Sequence, residues 1–148
     1  MYGLHQIIEL LMDNGASLQD LKTNINTALH TAAFYGHYAF TKILIESGSK
    51  VDSRNSNGLT PLHRAIVRNK LDVCHLLISN GADVNAITNN GETPIHLAVK
   101  GNSVDIMKLL LGSNANLFIR NNMGHTAMEC AMQEKHYEIY KFLINLKK

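Results

Sequence analysis

The sequence lacks several residue types and patterns whose absence limits what the protein can be. Its 148 residues contain no tryptophan, only two prolines and only two cysteines, Cys74 and Cys130. Two cysteines are too few for a disulfide framework, so we expect free core thiols and a reducing, intracellular compartment, either cytoplasm or nucleus. Its 14 basic and 12 acidic residues are scattered, and a formal charge of +2 indicates neither nucleic-acid nor anionic-membrane binding.

Membrane and catalytic signatures are also missing. No apolar run approaches the roughly 18 residues that a spanning helix needs, and no basic segment followed by an apolar one opens the chain. There is no glycine-rich phosphate loop, no Gly-x-Ser-x-Gly elbow and no His-Glu-x-x-His sequence. We therefore expect a soluble protein that is not an enzyme, does not contact a membrane, and binds no cofactor.

Two short phrases recur with a period of 33 residues. The first comprises Thr27-Ala-Leu-His30, Thr60-Pro-Leu-His63, Thr93-Pro-Ile-His96 and the degraded copy Thr126-Ala-Met-Glu129. The second comprises Gly15-Ala-Ser-Leu18, Gly48-Ser-Lys-Val51, Gly81-Ala-Asp-Val84 and Asn114-Ala-Asn-Leu117. Self-similarity in two registers at one period indicates a repeat array.

Each repeat carries an amphipathic helix. One column of the 33-residue rows is leucine throughout: Leu11, Leu44, Leu77, Leu110 and Leu143. Another is polar or charged: Glu9, Lys42, His75, Lys108 and Lys141. A leucine face beside a polar face predicts helices that pack on their neighbours along one side.

The recurring phrases supply start and stop signals for helices. The threonine can cap a shorter helix, with Pro61 or Pro94 at its first position, where no hydrogen-bond donor is lost. The long helix then meets Gly15, Gly48, Gly81 or Asn114, residue types that tolerate the left-handed backbone at helix ends. Each row therefore predicts a short helix followed by a long one.

The phrase Thr-Pro-Leu-His-x-Ala, followed by Gly-Ala-Asp-Val-Asn at this spacing, resembles the ankyrin repeat over nearly the whole chain. The resemblance implies an all-α ankyrin-repeat solenoid of helix-turn-helix units joined by β-hairpin-like finger loops, which contain Gly58, Gly91 and Gly124. Ile25 occupies the equivalent glycine position in the first full repeat. A β-branched residue resists positive φ, so we expect an irregular turn from Lys22 to Asn26.

The phase of the repeats predicts a single domain over residues 1–148. It divides into a partial repeat (1–18), full repeats (19–51, 52–84 and 85–117) and a C-terminal capping repeat (118–148). The N-terminal face is expected to be uncapped and to continue in a longer parent protein, with a natural half-repeat as the alternative.

Three of the eight histidines, His30, His63 and His96, recur at the repeat period. The family resemblance implies that they tie each repeat to adjacent backbone through their ring nitrogens. Neighbouring copies would lie roughly 10 Å apart, as sheet-like spacing suggests, too far to share a zinc ion with ligand distances of about 2 Å. We expect no metal site.

The resemblance implies protein–protein recognition through the concave face of fingers and short helices. The partner-binding residues expected there are Phe34, Tyr35, Leu59, Val67, Arg68, Asn89, Lys100 and Met123. Exposed aromatic side chains beside arginine are typical of binding hot spots. Alternatively, Phe34 and Tyr35 only cover the stump of the incomplete first repeat.

Two other functions are considered. The chain could be a structural or self-associating segment of a longer ankyrin array, whereas a recognition module should be monomeric alone. Leu77 with Asp83-Val84-Asn85 also resembles the stretch of ankyrin repeats in which asparagine is hydroxylated, and this predicts Asn85 as a possible acceptor.

Overall fold

The computed structural model describes residues 28–146. The expected partial repeat and the irregular turn from Lys22 to Asn26 lie outside these residues. The described part contains eight helices and no strand: α1 (28–35), α2 (Tyr38–Glu46), α3 (Pro61–Val67), α4 (Leu71–Ser79), α5 (Pro94–Lys100), α6 (Val104–Gly112), α7 (Ala127–Gln133) and α8 (Tyr137–Asn145). Short and long helices alternate as the sequence predicts.

Short helices pack on short helices, and long helices pack on long helices. Short helix α3 packs on α5 and α5 on α7, while long helix α2 packs on α4 and α4 on α6. The described members of the leucine column, Leu44, Leu77, Leu110 and Leu143, are all buried, and Lys42, His75, Lys108 and Lys141 are all exposed. Each unit thus buries its apolar face on its neighbours, and the expected register is confirmed.

The threonine phrase starts the short helices through reciprocal hydrogen bonds. The backbone N–H of Thr60 donates to Nδ1 of His63 at 3.1 Å, and Pro61 occupies the first helical position. In the degraded phrase, the backbone N–H of Thr126 donates to Oε2 of Glu129 at 2.7 Å. Glutamate therefore replaces histidine as the acceptor in this capping box.

The long helices end in left-handed backbone, as expected. Gly48, Gly81 and Asn114 have φ values of 93°, 89° and 65°. The residue after each donates its N–H to a carbonyl of the last helical turn, as Ala82 does to Leu77 at 3.0 Å. These bonds satisfy carbonyl groups that the helix leaves without an internal partner.

The finger loops are tight turns held by one side chain at the start of each. Oδ1 of Asn55 accepts hydrogen bonds from the backbone N–H groups of Asn57 and Leu59, both at 3.0 Å. Thr88 and Asn121 make equivalent bonds 33 and 66 residues further along. A side chain that bonds the backbone two residues on stabilises a turn without any strand pairing.

Candidate functional site

The finger loops are bonded to one another, which fixes the backbone of the face they form. The N–H of Asn89 donates to the carbonyl of Asn57 at 3.1 Å, and the N–H of Asn122 donates to the carbonyl of Asn90 at 3.0 Å. The side-chain amides of Asn89 and Asn122 add bonds to the preceding finger, to the carbonyls of Ser56 and Asn89, at 2.9 Å each. Side chains projecting from these fingers therefore stand on a rigid support.

The recurring histidines connect each short helix to the next finger. Nε2 of His30 lies 2.9 Å from the carbonyl oxygen of Leu59, and Nε2 of His96 lies 3.0 Å from that of His125. In both cases the acceptor is 29 residues further along, so the structural role expected of these two residues is confirmed.

His63 is fully buried, and its Nε2 makes no hydrogen bond of good geometry. The nearby backbone of Ala86 and Glu92 favours the charged ring and so raises its pKa. Burial dominates and lowers the pKa of His63 from 6.5 to about 4. Because Thr60 donates to Nδ1, the ring proton of the neutral form resides on Nε2. His63 is therefore a neutral core residue at pH 7.

Within residues 28–146, the structure gives little support to a metal site, a reactive cysteine or a membrane-spanning helix. No group of three or more His, Cys, Asp or Glu side chains in this part is placed to hold a metal ion. Cys74 and Cys130 are free and buried, and burial raises the pKa of Cys74 to about 12, which leaves almost no thiolate at neutral pH. None of these helices has the length and apolarity needed to cross a lipid bilayer.

The residues expected to bind a partner lie on the short helices and fingers. Tyr35 is 57% exposed, Val67 55% and Met123 73%, all high values for large apolar side chains. Arg68, Asn89 and Lys100 are exposed as well. Phe34 and Leu59 are half-buried, and the side chains of Arg64, Arg68 and Tyr35 lie against the ring of Phe34.

The structure brings some of these residues together. The rings of Phe34 and Tyr35 meet edge to face with centroids 5.1 Å apart, and the guanidinium carbon of Arg68 lies 4.8 Å from the Phe34 centroid. Lys100 instead forms a salt bridge with Glu92, whose hydrogen bond raises the pKa of the lysine. The expected site thus contains one contiguous cluster, with Met123 on a separate finger.

Two neighbours of this cluster, Arg64 and His37, were not among the residues predicted from the sequence. Arg64 places its guanidinium carbon 4.1 Å from the Phe34 centroid, and His37 stacks on Tyr35 at 5.9 Å. Arg64 could have been noticed, because it is the one charged residue in a repeat column that otherwise contains Thr31, Leu97 and Cys130. His37 carried no comparable signal.

Asn85, the possible hydroxylation acceptor, takes part in a contact between the loops that follow long helices α4 and α6. Its Oδ1 accepts a hydrogen bond from the backbone N–H of Asn116 at 2.7 Å, and its own N–H donates to Oδ1 of Asp83 at 2.9 Å. The residue is partly buried. Its side chain is therefore engaged in the folded stack.

Paired helices, bonded fingers and a 33-residue period define a helical repeat protein. The family model described as ankyrin repeats (3 copies) matches residues 1–88 and 80–148. The chain belongs to the ankyrin-repeat family, whose members are generally protein–protein interaction modules and typically non-enzymatic. No curated protein matches the chain.

Proposed function

We propose that this chain is a non-enzymatic recognition module that binds one partner protein through its finger and short-helix face. The observation that carries the proposal is the exposure of Tyr35 and Val67 at the ends of short helices α1 and α3 and of Met123 on a finger bonded to its neighbour. A backbone already held in place by helices and hydrogen bonds does not have to be ordered on binding, which lowers the entropic cost of recognition. The remaining contact residues are Phe34, Leu59, Arg68, Asn89 and Lys100.

We also propose a domain organisation and a cellular compartment for the module. It is one domain, divided as the repeat phase predicts, and it acts in the cytoplasm or nucleus without cofactor, nucleic acid or membrane. Two free, buried cysteines support a reducing compartment. The evenly mixed charges support a protein partner rather than a polyanion.

The experiment is capture of partners from a lysate by the full chain and two sets of variants, followed by mass spectrometry. Tyr35→Ala, Val67→Ser and Met123→Ala change the proposed face. Lys42→Ala and Lys108→Ala, on the exposed side of the long helices, serve as matched controls. A partner retained by the controls and lost by the face variants supports the proposal; the reverse pattern contradicts it.

The alternative is a structural or self-associating segment of a longer array. Phe118 and Tyr137, 69% and 59% exposed, are apolar surface outside the proposed contact residues and favour this reading. Light scattering separates the two functions. A monomer across a hundredfold range of concentration supports recognition, and a mass that rises with concentration supports self-association.

Hydroxylation of Asn85 is proposed as a modification of the folded module rather than its function. The motif supports it, and the bond from Asn116 to Oδ1 implies that the side chain must be released before an enzyme can reach it. Intact mass after incubation with an asparaginyl hydroxylase tests the idea. A gain of one oxygen that disappears in Asn85→Ala supports it, and an unchanged mass contradicts it.

A further inference from the structure

Two arginines converge on one aromatic ring at the N-terminal end of the described residues. The guanidinium carbons of Arg64 and Arg68 lie 4.1 and 4.8 Å from the centroid of Phe34, and Tyr35 meets the same ring edge to face. We call Phe34, Tyr35, Arg64 and Arg68 the Phe34 cluster. Stacking on an aromatic face orients a guanidinium group while leaving its charge in place.

No carboxylate neutralises these two charges within residues 28–146. Salt bridges in this part join Lys42 to Glu46, Lys100 to Glu92, Arg120 to Glu129 and Lys141 to Glu138. Arg64 and Arg68 take part in none of them. They are also four residues apart at the end of one helix, where like charges repel each other. Among the described residues, the cluster is therefore a concentrated positive site without a paired carboxylate, on a chain with a net charge of only +2.

The repeat fold itself does not require these arginines. The position of Arg64 is taken by Thr31, Leu97 and Cys130 in the other repeats, and that of Arg68 by Tyr35, Gly101 and Glu134. Nε of Arg64 is enclosed and has no hydrogen-bond partner, which destabilises the folded chain. A residue that costs stability, and whose place is taken by an uncharged residue in every other described repeat, is explained by something other than packing.

We infer that the Phe34 cluster binds an acidic peptide segment of the partner protein, an inference that rests on the proposed function and specifies its chemistry. Carboxylates of Asp or Glu pair with the outer nitrogens of Arg64 and Arg68, because guanidinium matches carboxylate in a two-point hydrogen bond. The exposed ring of Tyr35 packs against an apolar side chain next to those carboxylates. Acidic and apolar residues side by side are thus the expected recognition sequence.

The test begins with selection of a random dodecapeptide library, displayed on phage, against the full chain. The tightest peptide is then synthesised with a fluorescent label, and its affinity is measured by anisotropy. We expect at least two acidic residues in it. Changing them to Gln or Asn should weaken binding about tenfold or more, equivalent to about 1.4 kcal/mol.

Variants of the chain connect that loss to the cluster. Arg68→Gln should weaken binding of the acidic peptide about tenfold and leave binding of its amide version unchanged. Arg68→Lys, which keeps charge but not the two-point geometry, should fall between these values. Arg64→Gln should behave like Arg68→Gln. Because Arg68 is exposed, its variants keep the test decisive even where Arg64→Gln alters folding.

Other outcomes overturn the inference. If the recovered peptides are neutral or basic, the cluster does not recognise acidic segments. The same holds if Tyr35→Ala weakens their binding but neither arginine variant does. In both cases the proposed function stands without acidic recognition. Equal losses with Lys42→Gln would show a diffuse charge effect rather than a site. Tighter binding of a labelled oligouridine through the same arginines would identify a nucleic-acid site instead. A library without any binder would contradict this inference, whereas the proposed function is tested separately by capture of a partner protein.

Discussion

The side-chain oxygen of Asn85 accepts a hydrogen bond at 2.7 Å from the backbone N–H of Asn116, 31 residues further along the chain. Asp52 makes the equivalent contact with the N–H of Asp83 at 2.9 Å. The loops that follow successive long helices are therefore bonded to each other, in addition to the packing between helices and the hydrogen bonds between fingers. Phe118 occupies the same repeat position as Asp52 and Asn85, but its side chain contains no hydrogen-bond acceptor.

Truncation of the leucine column should destabilise the stack most. Leu77 is fully buried, so Leu77→Ala should lower the free energy of unfolding by about 2 to 5 kcal/mol through lost contacts and an unfilled cavity. Lys108 is exposed, and Lys108→Ala should change it by less than about 0.5 kcal/mol. Urea melts followed by circular dichroism measure both. Equal losses would contradict the register of the long helices.

The finger glycines should differ in their tolerance of alanine. A Cβ at Gly91 would lie 2.5 Å from Oδ1 and 2.9 Å from the backbone nitrogen of Asn122, whereas a Cβ at Gly124 meets nothing within 4 Å. Both have similar positive φ, 72° and 81°, so the backbone strain is matched. Gly91→Ala should therefore cost about 1 to 3 kcal/mol more than Gly124→Ala, as overpacking does. Thermal or urea unfolding of the pair tests this, and indistinguishable variants would argue against close finger contact.

Stability should fall in mild acid because of His63. Its pKa is about 4 in the folded chain, against an ordinary value of 6.5, so the unfolded chain binds the proton more readily between these values. The stability due to the neutral ring is fully present above pH 6.5 and is lost as the pH falls toward 4. At about 1.4 kcal/mol per pKa unit, the loss is about 3 kcal/mol.

The measurement is the free energy of unfolding from urea melts between pH 7.5 and 4. His63→Gln is the matched variant, since glutamine does not titrate, and its decline over this range should be shallower by the same amount. Burial also lowers the pKa of His96, which contributes equally to both proteins. Parallel curves for the two would show that His63 does not titrate as described.

Much of the fold followed from the sequence because the repeat supplies independent copies of each signal. The leucine column, the Thr-Pro helix starts and the glycines at helix ends each recur, and each acts through local backbone geometry or one apolar face. The turn-forming column Asn55, Thr88 and Asn121 was equally regular, but its members differ in residue type. Their shared role depends on a side-chain oxygen rather than on identity.

The Phe34 cluster was only partly predictable. Repeat position indicated that Phe34, Tyr35 and Arg68 lie on one face, since a family pattern fixes which positions project from it. It did not indicate that Arg64 and Arg68 both turn toward one ring 30 to 34 residues earlier, because rotamers and cross-repeat stacking depend on the neighbouring side chains.

The last prediction concerns the anchors of partner binding. Tyr35→Ala and Arg68→Ala should each weaken a discovered partner by about 1 to 3 kcal/mol, the range for interface hot spots, with little change in melting temperature because both side chains are exposed. Phe34→Ala should weaken binding similarly but also lower stability, because Phe34 supports both arginines.

Combining Phe34→Ala with Arg68→Ala should then cost less binding free energy than the two separate losses together, since each removes the same stacked pair. Isothermal titration of the parent chain and these four variants measures the losses, with Lys42→Ala and Lys108→Ala as controls. Loss of binding in those controls, with the anchors unaffected, would place the partner on the long helices instead.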